Sequence, residues 1–124
     1  MGTFAISLKD NGSYKFTYNN RRGKTVVTSI PQESIEACQN TIDILKAELP
    51  QLNFTKFKTA AGKFYFKISL RDETLCTSRK FTTVLRVEKA ISEIKTYMTE
   101  AEVLDFTTYV FPEINFDSDD EDEE

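Results

Sequence analysis

An internal repeat constrains the fold of this chain more than any other feature of its sequence. The segment GSYKFTY, which starts at Gly12, aligns with GKFYFKI, which starts at Gly62, at an offset of 50 residues. One residue is lost in the next turn, so the offset becomes 49 and Thr28-Ser29 aligns with Thr77-Ser78. A duplication of about 50 residues predicts that one supersecondary unit occurs twice and that the two copies pack together.

The same offset continues through an amphipathic helical pattern in each copy. Apolar residues at steps of three and four in the first copy align with apolar residues in the second: Ile35, Cys38, Ile42, Leu45 and Leu49 with Val84, Val87, Ile91, Ile94 and Met98. This spacing is typical of one face of a helix. Ser34 and Thr83 stand where helix N-caps are expected, so helices are predicted over about 35–49 and 84–98.

Alternating apolar and polar residues predict three strands before each helix and one strand after the second helix. The predicted strands are 4–8, 14–18, 24–30, 52–58, 63–70, 74–80 and 102–110. Short turn sequences separate them: DNG at 10–12, Arg22-Gly23, AAG at 60–62 and Asp72-Glu73.

A unit of about 50 residues buries too little surface to be stable alone, and its sheet edges would stay open. We therefore predict an α+β fold in which two tandem β-β-β-α units, about 3–50 and about 52–110, share one antiparallel-rich sheet of about seven strands. Both helices are expected on one face, and the strand after each helix is expected to be exchanged between the units. This arrangement predicts a single interlocked domain over 1–112, followed by an acidic disordered tail over 113–124.

These motifs, in this order, resemble the YegP-like family of small, usually bacterial tandem-repeat domains of unknown function. The resemblance rests on the two Gly-aromatic-x-aromatic elements, the two Thr-Ser pairs, the capped helices and Asn40-Thr41-Ile42, and it covers roughly residues 3–109. The family typically has Asn-Gly-Ile at the last of these motifs, and the second copy here has Lys89-Ala90-Ile91 instead. The resemblance implies one sheet shared by both repeats, with the strands after the helices exchanged. It implies no activity and no site residues.

The residue types argue against an enzyme or a metal protein. The chain has no histidine, the commonest general base and transition-metal ligand. Two cysteines are too few for a zinc site, and each aligns with a valine: Cys38 with Val87, and Cys76 with Val27. Both are therefore predicted to be core residues rather than a nucleophile or a disulfide. We expect no catalytic residues, no metal and no cofactor.

The surroundings of the protein are predicted from what the sequence lacks. No apolar run approaches the 18 residues of a membrane span, and the N-terminal segment does not have the pattern of a secretory signal. With only two cysteines, this favours a reducing compartment. We expect a cytoplasmic protein that does not bind membranes.

The predicted sheet face away from the helices is basic, and it is the candidate binding face. If Phe64 and Phe66 face the helices, then Ser69 and Thr17 face outward together with five candidate binding residues, which are Lys63, Tyr65, Lys67, Arg71 and Lys15. The leading hypothesis is a non-enzymatic binding or protein-interaction module with an unknown protein partner, as a monomer or homodimer. The alternative is a weak nucleic-acid binder, because single-strand binders combine basic grooves with stacking aromatic residues. An open antiparallel face is normally polar in either case.

The acidic residues are concentrated at the C-terminus. The last eight residues, DSDDEDEE, carry seven of the 20 acidic residues, which leaves 13 acidic against 16 basic residues in the rest of the chain. A body with a charge of +3 therefore ends in a segment with a charge of −7. The segment is expected to solubilise the protein or to compete with anionic partners for the basic face.

Overall fold

The computed structural model describes residues 2–111, and the predicted acidic tail lies outside the described residues. It is an α+β fold with a seven-stranded mixed sheet and two helices, as expected. The strands are β1 (Thr3–Lys9), β2 (Tyr14–Asn19), β3 (Thr25–Ser29), β4 (Asn53–Lys58), β5 (Phe64–Leu70), β6 (Glu73–Ser78) and β7 (Glu102–Phe111). The helices are α1 (Ile35–Ala47) and α2 (Val84–Tyr97), each followed by a short 3-10 turn: Leu49–Gln51 and Met98–Glu100.

Both helices begin at the caps that the sequence predicts. The Ser34 hydroxyl accepts a hydrogen bond from the Ala37 N–H at 3.0 Å, and the Thr83 hydroxyl accepts one from the Arg86 N–H at 3.2 Å. These contacts satisfy backbone donors that have no partner within the first turn of a helix.

The strand order across the sheet is β4-β5-β6-β3-β2-β1-β7. All neighbouring strands are antiparallel except β1 and β7, which are parallel. The chain leaves α2 and returns to the far edge of the sheet, where β7 lies beside β1. A parallel neighbour requires a long crossover connection of this kind, whereas antiparallel neighbours can be joined by tight turns.

The centre of the sheet is the pairing of β3 with β6. Thr28 lies opposite Thr77, with Val27 opposite Ser78 and Ser29 opposite Cys76 on either side. In the repeat, Val27 aligns with Cys76 and Ser29 aligns with Ser78, so aligned residues lie at equivalent positions on the two sides of the Thr28–Thr77 pair. The pairing therefore has local two-fold symmetry. The two halves of the chain therefore meet through equivalent strands.

One face of the sheet forms the core. In register, Phe4 lies opposite Tyr18 and Ile6 lies opposite Phe16, and all four side chains are buried. The buried residues of both helices join these strand residues in a single cluster: Cys38, Ile42, Leu45, Val87, Ala90, Ile91 and Ile94. Both helices therefore cover the same face.

The repeated Thr-Ser motif has a structural role in each half. The Ser29 hydroxyl accepts a hydrogen bond from the Phe16 N–H at 3.0 Å and donates one to the Ile30 carbonyl at 2.8 Å. The Ser78 hydroxyl makes the matching bonds, from the Phe66 N–H at 2.9 Å and to the next residue's carbonyl at 2.6 Å. Both serines are buried, so these bonds satisfy polar groups that water does not reach.

The turn between β5 and β6 lies one residue earlier than predicted. Arg71 and Asp72 occupy it with positive φ angles of 49° and 69°, and Glu73 already belongs to β6. Two consecutive residues with positive φ are the requirement of a type I′ hairpin turn, whose twist matches that of the flanking strands. The prediction of a turn at Asp72-Glu73 was therefore wrong by one position.

Within residues 2–111, neither helix is long and apolar enough to span a membrane.

Candidate functional site

The face of the sheet opposite the helices carries a row of mostly small polar side chains. Following the strand register from one edge to the other, the row is Leu104, Ala5, Thr17, Thr28, Thr77, Lys67 and Thr55. Both helices cover the other face, so this open face presents β-branched and polar side chains to solvent.

Two aromatic rings and one lysine stand out at one end of the open face. Phe57 of β4 lies directly opposite Tyr65 of β5, and their rings stack with centroids 5.1 Å apart and planes 20° apart. The Lys67 Nζ lies 5.4 Å from the centroid of the Phe57 ring. We call these three residues the aromatic corner. A stacked aromatic pair with an adjacent cation is a surface that can bind a flat or anionic group.

The five predicted face residues do not all lie together. Tyr65 and Lys67 are in the aromatic corner, and Lys63 comes immediately before β5, where its N–H donates to the Thr59 hydroxyl at 3.0 Å. Lys15 lies on the same face but opposite Ser7, on the other side of the central β3–β6 pair. The structure therefore places Tyr65 and Lys67 together, and Lys63 is close to them in the sequence.

Arg71 does not continue the series of side chains that face outward along β5. Its positive φ places it in the hairpin turn, after the strand has ended at Leu70. Its guanidinium lies 4.0 Å from the carboxylate of Glu48, the residue that follows α1. The alternation that put Arg71 beside Lys67 in the sequence stops at the turn, because side chains alternate between faces only within a strand.

Phe57 is the residue of the aromatic corner that sequence reasoning missed. It is 37% exposed, and it lies in a segment, LNFTKFK, that was correctly predicted as a strand. Its face could have been inferred by pairing the strand with β5 through the AAG turn, which places Phe57 opposite Tyr65. Register is fixed by turn geometry, and the sequence analysis located the turn at 60–62 without assigning its type.

A shallow groove lies on the helix side of the same edge, between β4 and α2. Its volume is about 430 Å³, and its lining residues include Phe54, Lys56, Glu88 and Lys95. The Lys56 ammonium pairs with the Glu88 carboxylate at 2.9 Å, with both side chains about half exposed. An exposed pair of this kind contributes little to stability, about 0–1 kcal/mol.

Cys38 and Cys76 are buried and unpaired, as predicted for core residues. Burial, with a smaller contribution from the Asp105 carboxylate, raises the pKa of Cys38 to about 11. Burial also raises the pKa of Cys76 above its ordinary value. Both groups therefore remain protonated near neutral pH, whereas nucleophilic catalysis and metal binding require the thiolate.

Groups of three or more residues able to hold a metal ion are absent from the described part of the chain. The surfaces that remain as candidates are the aromatic corner and the adjoining groove.

The fold is shared with small α+β proteins whose structures were solved in solution. The NMR structure of the protein of unknown function YegP from Escherichia coli superposes with a TM-score of 0.78 at 23% identity, over 87% of this chain and 95% of that one. The NMR structure of a UPF0339 protein from Shewanella oneidensis gives a TM-score of 0.77 at 18% identity, over 86% and 92% of the two chains.

The sequence is similar to the same group. UPF0339 protein YegP of Escherichia coli K12 is 27% identical over 108 residues, which cover 86% of this chain and 98% of YegP. YegP of Shigella flexneri matches to the same extent. No model of a known protein family matches the chain. The chain is thus similar in sequence and fold to YegP proteins, and YegP of Escherichia coli is described as a protein of unknown function.

Proposed function

We propose that the protein is a tandem-repeat member of the YegP-like family and acts as a non-enzymatic protein-interaction module in the cytoplasm. The repeat is supported by the offset of 49 residues and by the symmetric pairing of Thr28 with Thr77 at the centre of the sheet. The binding role is supported by a surface that offers contacts and by buried cysteines that lack the chemistry of a nucleophile.

The observation that carries the proposal is the stacked pair of Phe57 and Tyr65 on the open face. Aromatic residues are enriched in the binding hot spots of protein interfaces, where they bury large areas at a low cost in conformational entropy. Lys67 and Lys63 add positive charge beside the pair, which favours a partner with acidic residues. Lys15 lies farther along the face and would contact only a large partner.

Affinity capture with the full chain tests this role. The corner variant Phe57→Thr/Tyr65→Thr removes both rings and keeps β-branched residues in the strands. The control variant Tyr97→Gln removes an aromatic side chain that is 40% exposed at the end of α2. We expect specific partners to be captured by the wild type and by Tyr97→Gln but lost with the corner variant. Equal capture by all three proteins would contradict the proposal.

Nucleic-acid binding is the second candidate function, and the aromatic corner is the observation that favours it. Stacked bases and phosphates are recognised by aromatic rings with nearby lysines, and such binding falls steeply with salt. Titration of the full chain with a fluorescent single-stranded oligonucleotide at several salt concentrations tests it. Lys63→Glu/Lys67→Glu should abolish binding, and nuclease treatment should remove captured partners. Weak binding that is indifferent to salt and to these substitutions excludes this function.

A further inference from the structure

The outer edge of β4 is a free sheet edge within the described residues. β4 pairs with β5 on one side, and no other strand of residues 2–111 pairs with it on the other. All its residues except Phe54 are exposed. Such an edge presents alternating backbone N–H and C=O groups to which an extended segment can add as a further strand.

Lysines surround this edge on both faces of the sheet. On the helix side, the Lys95 Nζ lies 5.3 Å from the centroid of the Phe54 ring, and the Lys58 Nζ lies 5.7 Å from that of the Phe64 ring. On the open side, Lys67 lies over Phe57. The aromatic rings hold the three ammonium groups beside the edge, and the cation–π contact does not neutralise their charge.

Carboxylates near the edge do not offset this charge. Within residues 2–111, neither Lys58, Lys67 nor Lys95 forms an ion pair with a carboxylate. Glu88, the acidic residue in the adjoining groove, is already paired with Lys56. The β4 edge is therefore positively charged on both of its faces.

An extended segment with acidic side chains on both faces complements this edge. Successive side chains of a strand point to opposite faces, so an amphipathic strand with alternating acids would meet lysines on one face only. A run of consecutive acids places carboxylates on both faces. The chain contains such a run at its own C-terminus, where seven of the eight residues from 117 to 124 are acidic.

Residues 117–124 of the same molecule do not reach far enough to line the β4 edge. β7 and β4 are the opposite edges of the sheet, six strand spacings apart, which is roughly 29 Å at about 4.8 Å per spacing. Crossing that distance uses about nine residues after Phe111, at about 3.3 Å per residue, so residues 112–120 would be spent on it. Only four of the eight residues from 117 to 124 would then lie beside the six residues of β4.

We propose that the free edge of β4 binds residues 117–124 of a second copy of this chain as an added strand. The contact joins the acidic C-terminus of one copy to the lysine-bearing edge of the next. This proposal rests on the proposed protein-interaction role and identifies one partner, which is a second copy of the chain.

Sedimentation equilibrium of the full chain at low salt and at about 0.5 M salt tests this contact. The edge variant is Lys58→Glu/Lys95→Glu, and the tail variant replaces all seven acidic residues from 117 to 124 by their amides. The matched control, Lys24→Glu/Lys89→Glu, makes the same change in net charge at exposed lysines outside the edge. A compensated variant combines Lys58→Glu/Lys95→Glu with lysines in place of the seven acidic residues.

The wild type and the control should self-associate at low salt and dissociate at high salt. The edge and tail variants should each bind about tenfold more weakly, and the compensated variant should recover the loss. A wild type that stays monomeric at all concentrations overturns the inference. So does self-association that survives the tail variant, since this would indicate pairing of β4 with β7 between copies. Neither result affects the outcome of the capture experiment above, because that experiment depends on Phe57 and Tyr65.

Discussion

The two edges of the sheet occupy aligned positions in the sequence but present opposite charges. β4 and β7 each follow a helix, and at the offset of 49 residues Lys56 aligns with Asp105 and Asn53 aligns with Glu102. β4 pairs antiparallel with β5, whereas β7 pairs parallel with β1. Strands at aligned positions therefore form a basic edge and an acidic edge, and an anionic partner can distinguish them.

The two edges also share one feature. Lys56 lies opposite the buried Phe66, and Asp105 lies opposite the buried Ile6, so both charges are on the helix side of the sheet. Inward-pointing charges on edge strands oppose indiscriminate pairing with other sheets. The β4 edge is thus protected by the inward-facing Lys56 and Lys58 and the β7 edge by Asp105, while the side chains around each edge decide which partner is accepted.

Separating the two halves of the sheet should have the largest effect. A fragment of residues 1–50 keeps β1–β3 and α1 but loses the β3–β6 pairing, including Thr28 opposite Thr77. We expect it to be unfolded or to form a dimer that restores this pairing, because so small a unit buries too little surface alone. Circular dichroism and sedimentation distinguish the two results. A folded monomer would show that the edges belong to independent units.

Removal of either buried serine should cause the next largest loss. Ser29→Ala and Ser78→Ala each leave a buried backbone donor unsatisfied, which costs about 1–3 kcal/mol. Because the two serines make matching bonds, the two losses should be similar, as measured by urea unfolding. Thr28→Ala on the open face is the control and should cost less. A large difference between the serines would mean that the two halves are not structurally equivalent.

High pH should destabilise the protein through Cys38, which lies within the influence of the acidic edge. Its pKa is raised from 9.0 in the unfolded chain to about 11, by burial first and Asp105 second. The folded state therefore holds the thiol proton more tightly than the unfolded state does. The contribution of Cys38 to the free energy of unfolding is complete below pH 9 and is lost as the pH rises to 11.

The valine that aligns with Cys38 supplies the variant for this measurement. Cys38→Val should cost less than about 1.5 kcal/mol at pH 7, and its stability should fall less between pH 9 and 11 than that of the wild type. Asp105→Asn should also reduce the loss, by a smaller amount. An identical pH profile for Cys38→Val and the wild type would contradict a buried, protonated thiol.

Removal of the inward-facing Lys56 from the basic edge should have the smallest effect on stability. Lys56→Ala removes a half-exposed pair with Glu88 and should change the unfolding free energy by about 0–1 kcal/mol. We expect it to increase aggregation, measured by light scattering at high protein concentration, because the edge loses one of its two inward-facing charges. Lys24→Ala, in an exposed turn, serves as the control. Equal scattering by both variants would remove the protective role assigned to Lys56.

The repeated patterns of the sequence predict most of the fold. Strand alternation around Phe16 and Phe66, together with the caps Ser34 and Thr83, is sufficient to place β2, β5 and both helices. The parallel pairing of β7 with β1 is not encoded locally, because alternation in EVLDFTTYV is the same for parallel and antiparallel neighbours.

The candidate site was less predictable because it depends on register. Tyr65 and Lys67 follow from the alternation of one strand, but Phe57 joins them only once β4 is paired with β5. Arg71 shows the opposite failure. Strand alternation predicted that it faces outward with Lys67, but its positive φ places it in the hairpin turn. Spacing along a strand predicts a face, whereas the neighbours on that face require the paired sheet.

The most direct test of the central claim, that partners bind at the basic edge and not at the acidic one, is an NMR titration. The full-length chain with its C-terminal acids replaced by amides is labelled with ¹⁵N, and a peptide of residues 112–124 with the natural sequence is added. We expect amide shifts in Asn53–Lys58 and around Tyr65 and Lys67, which salt should reverse, and little change in β7. Shifts confined to Glu102–Phe111, or no shifts at any peptide concentration, would contradict the assignment of the binding surface to the β4 edge.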